Sequence, residues 1–227
     1  MKTNKNQSRR SFIAALALGS SASAFPMLLK DLDAYEDFDN EEFNFQSDPK
    51  EWINKIKGSR RIVYDGSKFN NAFPIIWNWA FYQSNNDMGS PDSDVTAITV
   101  FRAAGIAASL NSSVWKKYAL GAYFKIMDPQ TGKPSERNFV YEPGSGDLLA
   151  DVIDGIKELQ GRGALFAVCN SAIRFHSARI AKKMNLKAAE VYKDLTSNIL
   201  PQIQLVPTGV WAIGMAQEKK CGYIFAG

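Results

Sequence analysis

The sequence predicts an open, mostly parallel α/β sheet covered by helices on both faces. Three observations carry this expectation. Beyond residue 60, short β-prone runs alternate with longer helical stretches. The run Ala164-Leu165-Phe166-Ala167-Val168-Cys169 is apolar without a break, as a strand buried on both faces has to be. Of the 227 residues, 45% are hydrophobic and 22% charged, which is enough apolar chain for one generous α/β domain or two small ones.

Each element has its own signal. Arg61-Ile62-Val63-Tyr64 forms the first strand and is stopped by Asp65-Gly66-Ser67. A helix follows over 73–81, with Pro74 in its first turn, where the missing N–H costs nothing. That helix is apolar nearly all round, so it belongs in the core or in a subunit contact. Residues 95–101 read as the second strand, and a helical stretch runs through Ile106, Leu110 and Val114 to Tyr118. Residues 120–146 contain Asp128-Pro129, Thr131-Gly132, Pro134, Pro143-Gly144 and Gly146, an irregular insertion of the kind that is either functional or disordered. Val152, Ile153, Ile156 and Leu159 restore a helical period, closed by Gly161 and Gly163. After the apolar strand come helices over 171–184 and 187–199, a strand at 203–206, a helix over 209–219 and a last strand at 223–225.

The N-terminus reads differently. Four of the 27 basic residues (Lys2, Lys5, Arg9 and Arg10) lie in the first 24 positions, which hold no acid. They supply the whole net charge of +4, because 23 basic and 23 acidic residues remain. A basic pI therefore says nothing in favour of nucleic-acid binding. Ser8-Arg9-Arg10-Ser11-Phe12-Ile13, a modest apolar run and Ala22-Ser23-Ala24 form a twin-arginine export signal with a small-x-small cleavage site. The expectation is a periplasmic or otherwise exported protein starting near Phe25. Residues 25–58 then form an acidic linker or arm. Asp31, Asp33, Glu36, Asp37, Asp39, Glu41, Glu42 and Asp48 are interleaved there with Tyr35, Phe38, Phe43 and Phe45. Two readings stay open for it, a solvated tether and an arm docked on the basic remainder of the chain. Residues 59–227 make the α/β domain, interrupted by the insertion at 120–146. No apolar run is long enough to span a membrane.

Chemistry is expected beyond the carboxyl ends of the strands, where open α/β sheets bind ligands. Cys169 ends the central strand, with Asn170 and Ser171 as candidate N-caps of the next helix. Backbone N–H groups and the positive end of a helix dipole favour a thiolate there, and Arg174, one turn on, adds a charge. Packing is the competing role, since a free cysteine is also a common small core residue. His176, the one histidine, sits on an apolar helix face, which suits a packed or hydrogen-bonded ring better than a proton-transfer group. One histidine and two cysteines offer no metal-ligand spacing. Cys169 and Cys221 lack the C-x-x-C spacing of a redox dithiol, and a disulfide between them stays open. Pro143-Gly144-Ser145-Gly146-Asp147 matches neither Gly-rich phosphate fingerprint and reads as a turn with a helix N-cap.

Two segments carry a resemblance. The stretch from Gly163 through Val168-Cys169-Asn170-Ser171-Ala172-Ile173-Arg174 resembles the strand–Cys–helix element of the DsrE/DsrF-like sulfur-relay family. Val206-Pro207-Thr208-Gly209-Val210, with Gln217 and Gly222-Tyr223-Ile224, resembles that family's closing segment. Leu120-Gly121, Asp128-Pro129-Gln130-Thr131-Gly132 and Arg137-Asn138 are similar to an insertion in exported members.

The resemblance implies a flavodoxin-like sheet, a homo-oligomer of three or more subunits and a cysteine, here Cys169, that carries sulfane sulfur as a persulfide. It also implies a sulfur donor or acceptor protein as partner. On this reading Asn170, Ser171, Pro207, Thr208 and Gly209 form the rim of the site and Arg174 steadies the thiolate. Export and the insertion depart from the cytoplasmic relay members. The alternative is a non-catalytic binding or scaffold module in which Cys169 is core packing. No cofactor, metal, nucleic acid or membrane enters either expectation.

Overall fold

The computed structural model describes residues 48–227. The export signal and residues 25–47 of the expected acidic arm lie outside the described residues, whereas the arm's last part is no free linker: it forms a helix over Pro49–Ile53 and buries Trp52, Ile53 and Ile56 in the domain. Five strands form one parallel sheet: β1 Arg60–Gly66, β2 Val95–Phe101, β3 Leu165–Cys169, β4 Ile203–Val206 and β5 Gly222–Phe225. Their spatial order is β4-β3-β2-β1-β5. The helices are α1 Pro49–Ile53, α2 Phe73–Asp87, α3 Ser112–Lys117, α4 Leu120–Phe124, α5 Ile156–Arg162, α6 Asn170–Met184, α7 Ala188–Ser197 and α8 Gly209–Glu218.

The pleat sorts the strand side chains into two layers. Ile62, Tyr64, Ala97, Phe166, Val168, Ile203 and Leu205 face the larger core, built with α2, α3, α5, α6 and α7. Val63, Ile98, Val100, Ala167 and Val206 face the smaller one, closed by α8 and by Trp52 and Ile53 of α1. This is the open sheet, covered on both faces, that the strand–helix alternation implies. The elements joining β1 to β2, β2 to β3 and β3 to β4 belong to the first layer, whereas α8, which leaves β4, belongs to the second. The chain thus exits neighbouring strands β3 and β4 to opposite faces, which opens the ligand-binding crevice of such sheets at their carboxyl ends.

Three local expectations need correction. The stretch 103–118 is not one helix. Ala103–Ser109 is a 3-10 segment, Leu110 and Asn111 are extended, and α3 starts only after Asn111 caps Ser113. Within that segment Gly105 lies so close to β1 that a Cβ on it would be 2.1 Å from the Gly66 carbonyl oxygen. The helix expected from Val152 begins only at Ile156, and Gly163 ends it with φ +106°, a left-handed cap that glycine adopts freely. Pro143 to Asp147 contains no helix N-cap; Asp147 has a different role.

The insertion is ordered around one guanidinium. Arg137 donates to Asp128 through Nε at 2.7 Å and to both oxygens of Asp147 at 2.7 and 2.5 Å. Asp147 also accepts from Gly144 N–H and from Gln130. The Arg137 hydrogen bonds hold the Asp147 carboxyl below the usual carboxylate range. Next door, buried Asn138 donates to the carbonyls of Ala108 and Leu110 and so fastens the insertion to the 3-10 segment.

Candidate functional site

The carboxyl ends of the strands bring together residues far apart in sequence. Cys169, at the end of β3, is 1% exposed. It is itself the N-cap of α6, one residue earlier than the expected caps Asn170 and Ser171. Its Sγ accepts the N–H of Ala172 at 3.4 Å. The N–H groups of Gly209 and Ser171 also act on the sulfur, as does the charge of Arg102. Burial nevertheless dominates and pushes the Cys169 thiol up, with those donors and Arg102 pulling the other way. The helix-end argument is therefore right about the donors and wrong about the net direction, because it left desolvation out.

Four of the five residues expected at the rim, Ser171, Pro207, Thr208 and Gly209, lie together at the carboxyl ends of β3 and β4. Cys169 pairs in register with Val206, which puts 207–209 directly beside the sulfur. The Pro207 carbonyl accepts from Ser171, from Oγ at 3.2 Å and from N–H at 3.4 Å, tying the start of α6 to the β4–α8 turn. Thr208 caps α8 by accepting Trp211 N–H. Gly209 has no room for a side chain, since a Cβ there would lie 2.8 Å from Cβ of Arg102.

Asn170 and Arg174 turn elsewhere. The Tyr192 hydroxyl donates to Asn170 Oδ1 at 2.8 Å, and the Arg174 guanidinium lies 5.3 Å from the Tyr192 ring centre. Both expected site residues thus face α7, and Arg102, not Arg174, is the cation whose charge reaches the sulfur.

Arg102 and Asp65 were not singled out from the sequence. Arg102 follows β2 and Asp65 lies near the end of β1. The guanidinium grips the carboxylate at two points, Nε to Oδ1 at 2.6 Å and a terminal nitrogen to Oδ2 at 2.9 Å. Tyr223 of β5 donates its hydroxyl to the same Oδ2 at 3.0 Å. The bidentate hydrogen bond to Asp65 raises the Arg102 pKa further, so the cation is permanent. Both side chains end at carboxyl ends of strands, and that was the available signal.

His176 is packed between Tyr123, Phe124 and Phe175, and its Nδ1 pairs with the Tyr123 hydroxyl at 2.9 Å. Burial first, then the charge of Arg179, lowers its pKa to about 3, with the Ala103 backbone opposing. The ring is neutral near pH 7 and has no charge to lend the sulfur. Cys169 and Cys221 are both free, and Cys221 belongs to the opposite core layer. Among the described residues, no group of three or more metal-ligating side chains occurs and no helix is long and apolar enough to cross a membrane.

Comparison with protein-family models, with curated proteins and with solved structures gives no match for this chain.

Proposed function

We propose that the chain is a sulfur-accepting protein in which Cys169 takes up sulfane sulfur as a persulfide. The observation that carries this reading is the place of one sulfur between two helix starts at the β3/β4 crevice: it accepts the Ala172 N–H of α6 at 3.4 Å, and the strand register sets the start of α8 alongside it. Such a cradle stabilises negative charge on the atom it surrounds, whether thiolate or persulfide anion. The step is redox-neutral. The Cys169 thiolate attacks the outer sulfur of a donor persulfide, a new S–S bond forms at Cys169, the donor's S–S bond breaks, and the donor leaves as a thiolate. The twin-arginine segment and the resemblance to exported DsrE/DsrF-like proteins support a periplasmic setting, a homo-oligomer of three or more subunits and a donor or acceptor protein as partner.

A second reading has its own observation. Cys169 is nearly sealed, and its thiol is pushed up by burial, which favours a binding or scaffold module that uses the cysteine for packing. Intact-mass measurement after incubation with a low-molecular-weight persulfide separates the two. The relay reading expects +32 Da on the wild type and none on Cys169→Ser. Equal addition in both proteins, or none in either, supports the module.

A further inference from the structure

One side chain of α6 is buried on the wrong side of its helix. At about 100° per residue, Phe175 points roughly half a turn away from Ile173 and Ile180, which enter the larger core. It is nonetheless only 6% exposed, and among the described residues it belongs to neither core layer. The His176 ring centre at 5.2 Å and the Arg179 guanidinium at 5.4 Å flank its ring. Arg179, Lys182 and Lys183 follow Phe175 by four, seven and eight positions, so they share its outward face. α6 carries no acid. The helix thus presents an aromatic ring followed by three cations on the side turned away from the sheet.

We infer that this face is the dock of the acidic arm: residues 31–47 of the same chain lie along α6, their aromatic rings against Phe175 and their carboxylates against Arg179, Lys182 and Lys183. The match is one of residue type as well as of charge. The segment 31–47 holds seven acids, no lysine or arginine, and the rings of Tyr35, Phe38, Phe43 and Phe45. The arm also ends in the right place. Its last turn, α1, packs against β4, the edge strand beside β3, and β3 leads directly into α6. Those 17 residues reach about 55 Å when extended, against about 22 Å for the 15 residues of α6. Lys55, Lys57, Lys219 and Lys220, near the start of β1, are the alternative dock by charge alone. α6 is favoured because it adds Phe175, an outward ring for the arm's rings to cover. Since α6 starts beside Cys169, the docked arm borders the crevice, and the inference holds whether or not the thiol takes up sulfur.

A carbodiimide joins a carboxylate directly to an amine in contact with it, so it reads the dock in the full chain. An equal mixture of ¹⁴N- and ¹⁵N-labelled protein separates links within a chain from links between chains. The expected result is links from the acids of 31–47 to Lys182 or Lys183, with both peptides from one chain. Links from the arm to Lys55, Lys57, Lys219 or Lys220 instead, links between differently labelled chains, or no link to the arm overturn the inference. Cutting by a glutamyl endopeptidase at Glu36, Glu41 and Glu42 then measures how firmly the arm is held. Arg179→Glu with Lys183→Glu turns two attractions into repulsions and is expected to speed the cutting by about tenfold, with the far-UV spectrum of the wild type. An unchanged rate in the folded double variant also overturns the inference.

Discussion

Cys169 caps the helix that follows it: Sγ accepts the N–H of Ala172 at 3.4 Å and thereby replaces a Ser or Asp at that position. The same atom is both a structural cap and the candidate nucleophile. Cys169→Ser keeps an acceptor at the cap, so it is expected to unfold at the wild-type temperature while losing sulfur uptake. Cys169→Ala removes the acceptor and is expected to cost about 1 kcal/mol, a typical cap loss, together with the small cavity it leaves. Calorimetry of the two variants reads the difference, and equal melting temperatures for Ser and Ala would show that the sulfur does not cap.

Gly209→Ala is a probe of tightness. At a helix start, alanine for glycine is normally neutral or favourable. Here the added Cβ would meet the Arg102 side chain at 2.8 and 3.2 Å, so either α8 or the guanidinium must move. The expected outcome is destabilisation by about 1–3 kcal/mol, as for other overpacked sites, measured as a lower urea midpoint. A gain in stability would mean that the turn has slack.

The insertion depends on Arg137. Removing the guanidinium leaves Asp147, whose side chain is 1% exposed, and Asp128 without their common partner. Breaking a buried pair costs about 3–5 kcal/mol. Arg137 is itself 36% exposed, so solvent screening reduces that to about 2 kcal/mol for Arg137→Gln. Hydrogen exchange is expected to speed up across 128–147 and to stay unchanged in β3. Uniform acceleration over the whole chain would place the insertion inside the cooperative core.

His176 predicts an acid-side loss of stability. Its folded pKa, about 3, lies below the ordinary histidine value of 6.5, so between those values the unfolded chain binds a proton that the folded chain does not. The contribution is complete above pH 6.5 and declines as pH falls toward 3, with a slope of up to about 1.4 kcal/mol per pH unit. His176→Gln is expected to flatten the dependence of unfolding free energy on pH between 6.5 and 4. Parallel curves for variant and wild type would assign the acid loss to carboxylates such as Asp147.

Much of the fold is legible along the chain because hydrophobic period records burial. β3 is readable as a doubly covered strand from its unbroken apolar run, and that placed Cys169 at a carboxyl end. The rim at 207–209 comes from the resemblance in the closing segment, and the β3–β4 register sets that segment beside Cys169. The Asp65–Arg102 pair is harder to read, because its members are 37 residues apart and meet only through the parallel register of β1 with β2. Arg174 looked nearer to the sulfur by count along the helix, but its side chain found an aromatic face on α7 instead. The 3-10 segment after β2 is hidden for another reason: its alanines suit a helix, and the close approach of Gly105 to Gly66 is a tertiary contact that local sequence does not record. The insertion has no period at all, since its order comes from three ionised side chains.

Strand order sets how the molecule opens as well as how it is built. β1 to β4 are laid down beside their immediate predecessors, whereas β5 returns across the whole sheet to pair with β1. Its large residues Tyr223, Ile224 and Phe225 remain 45%, 40% and 55% exposed. An element with the longest loop to close and little surface buried in return is the first to exchange its amide hydrogens and the first to detach in dilute denaturant. When it does, Tyr223 leaves Asp65, and the support behind Arg102 loosens while the remaining four strands stay folded. Fraying of an outer strand is thereby coupled to an ion pair that ties two inner strands together at their carboxyl ends.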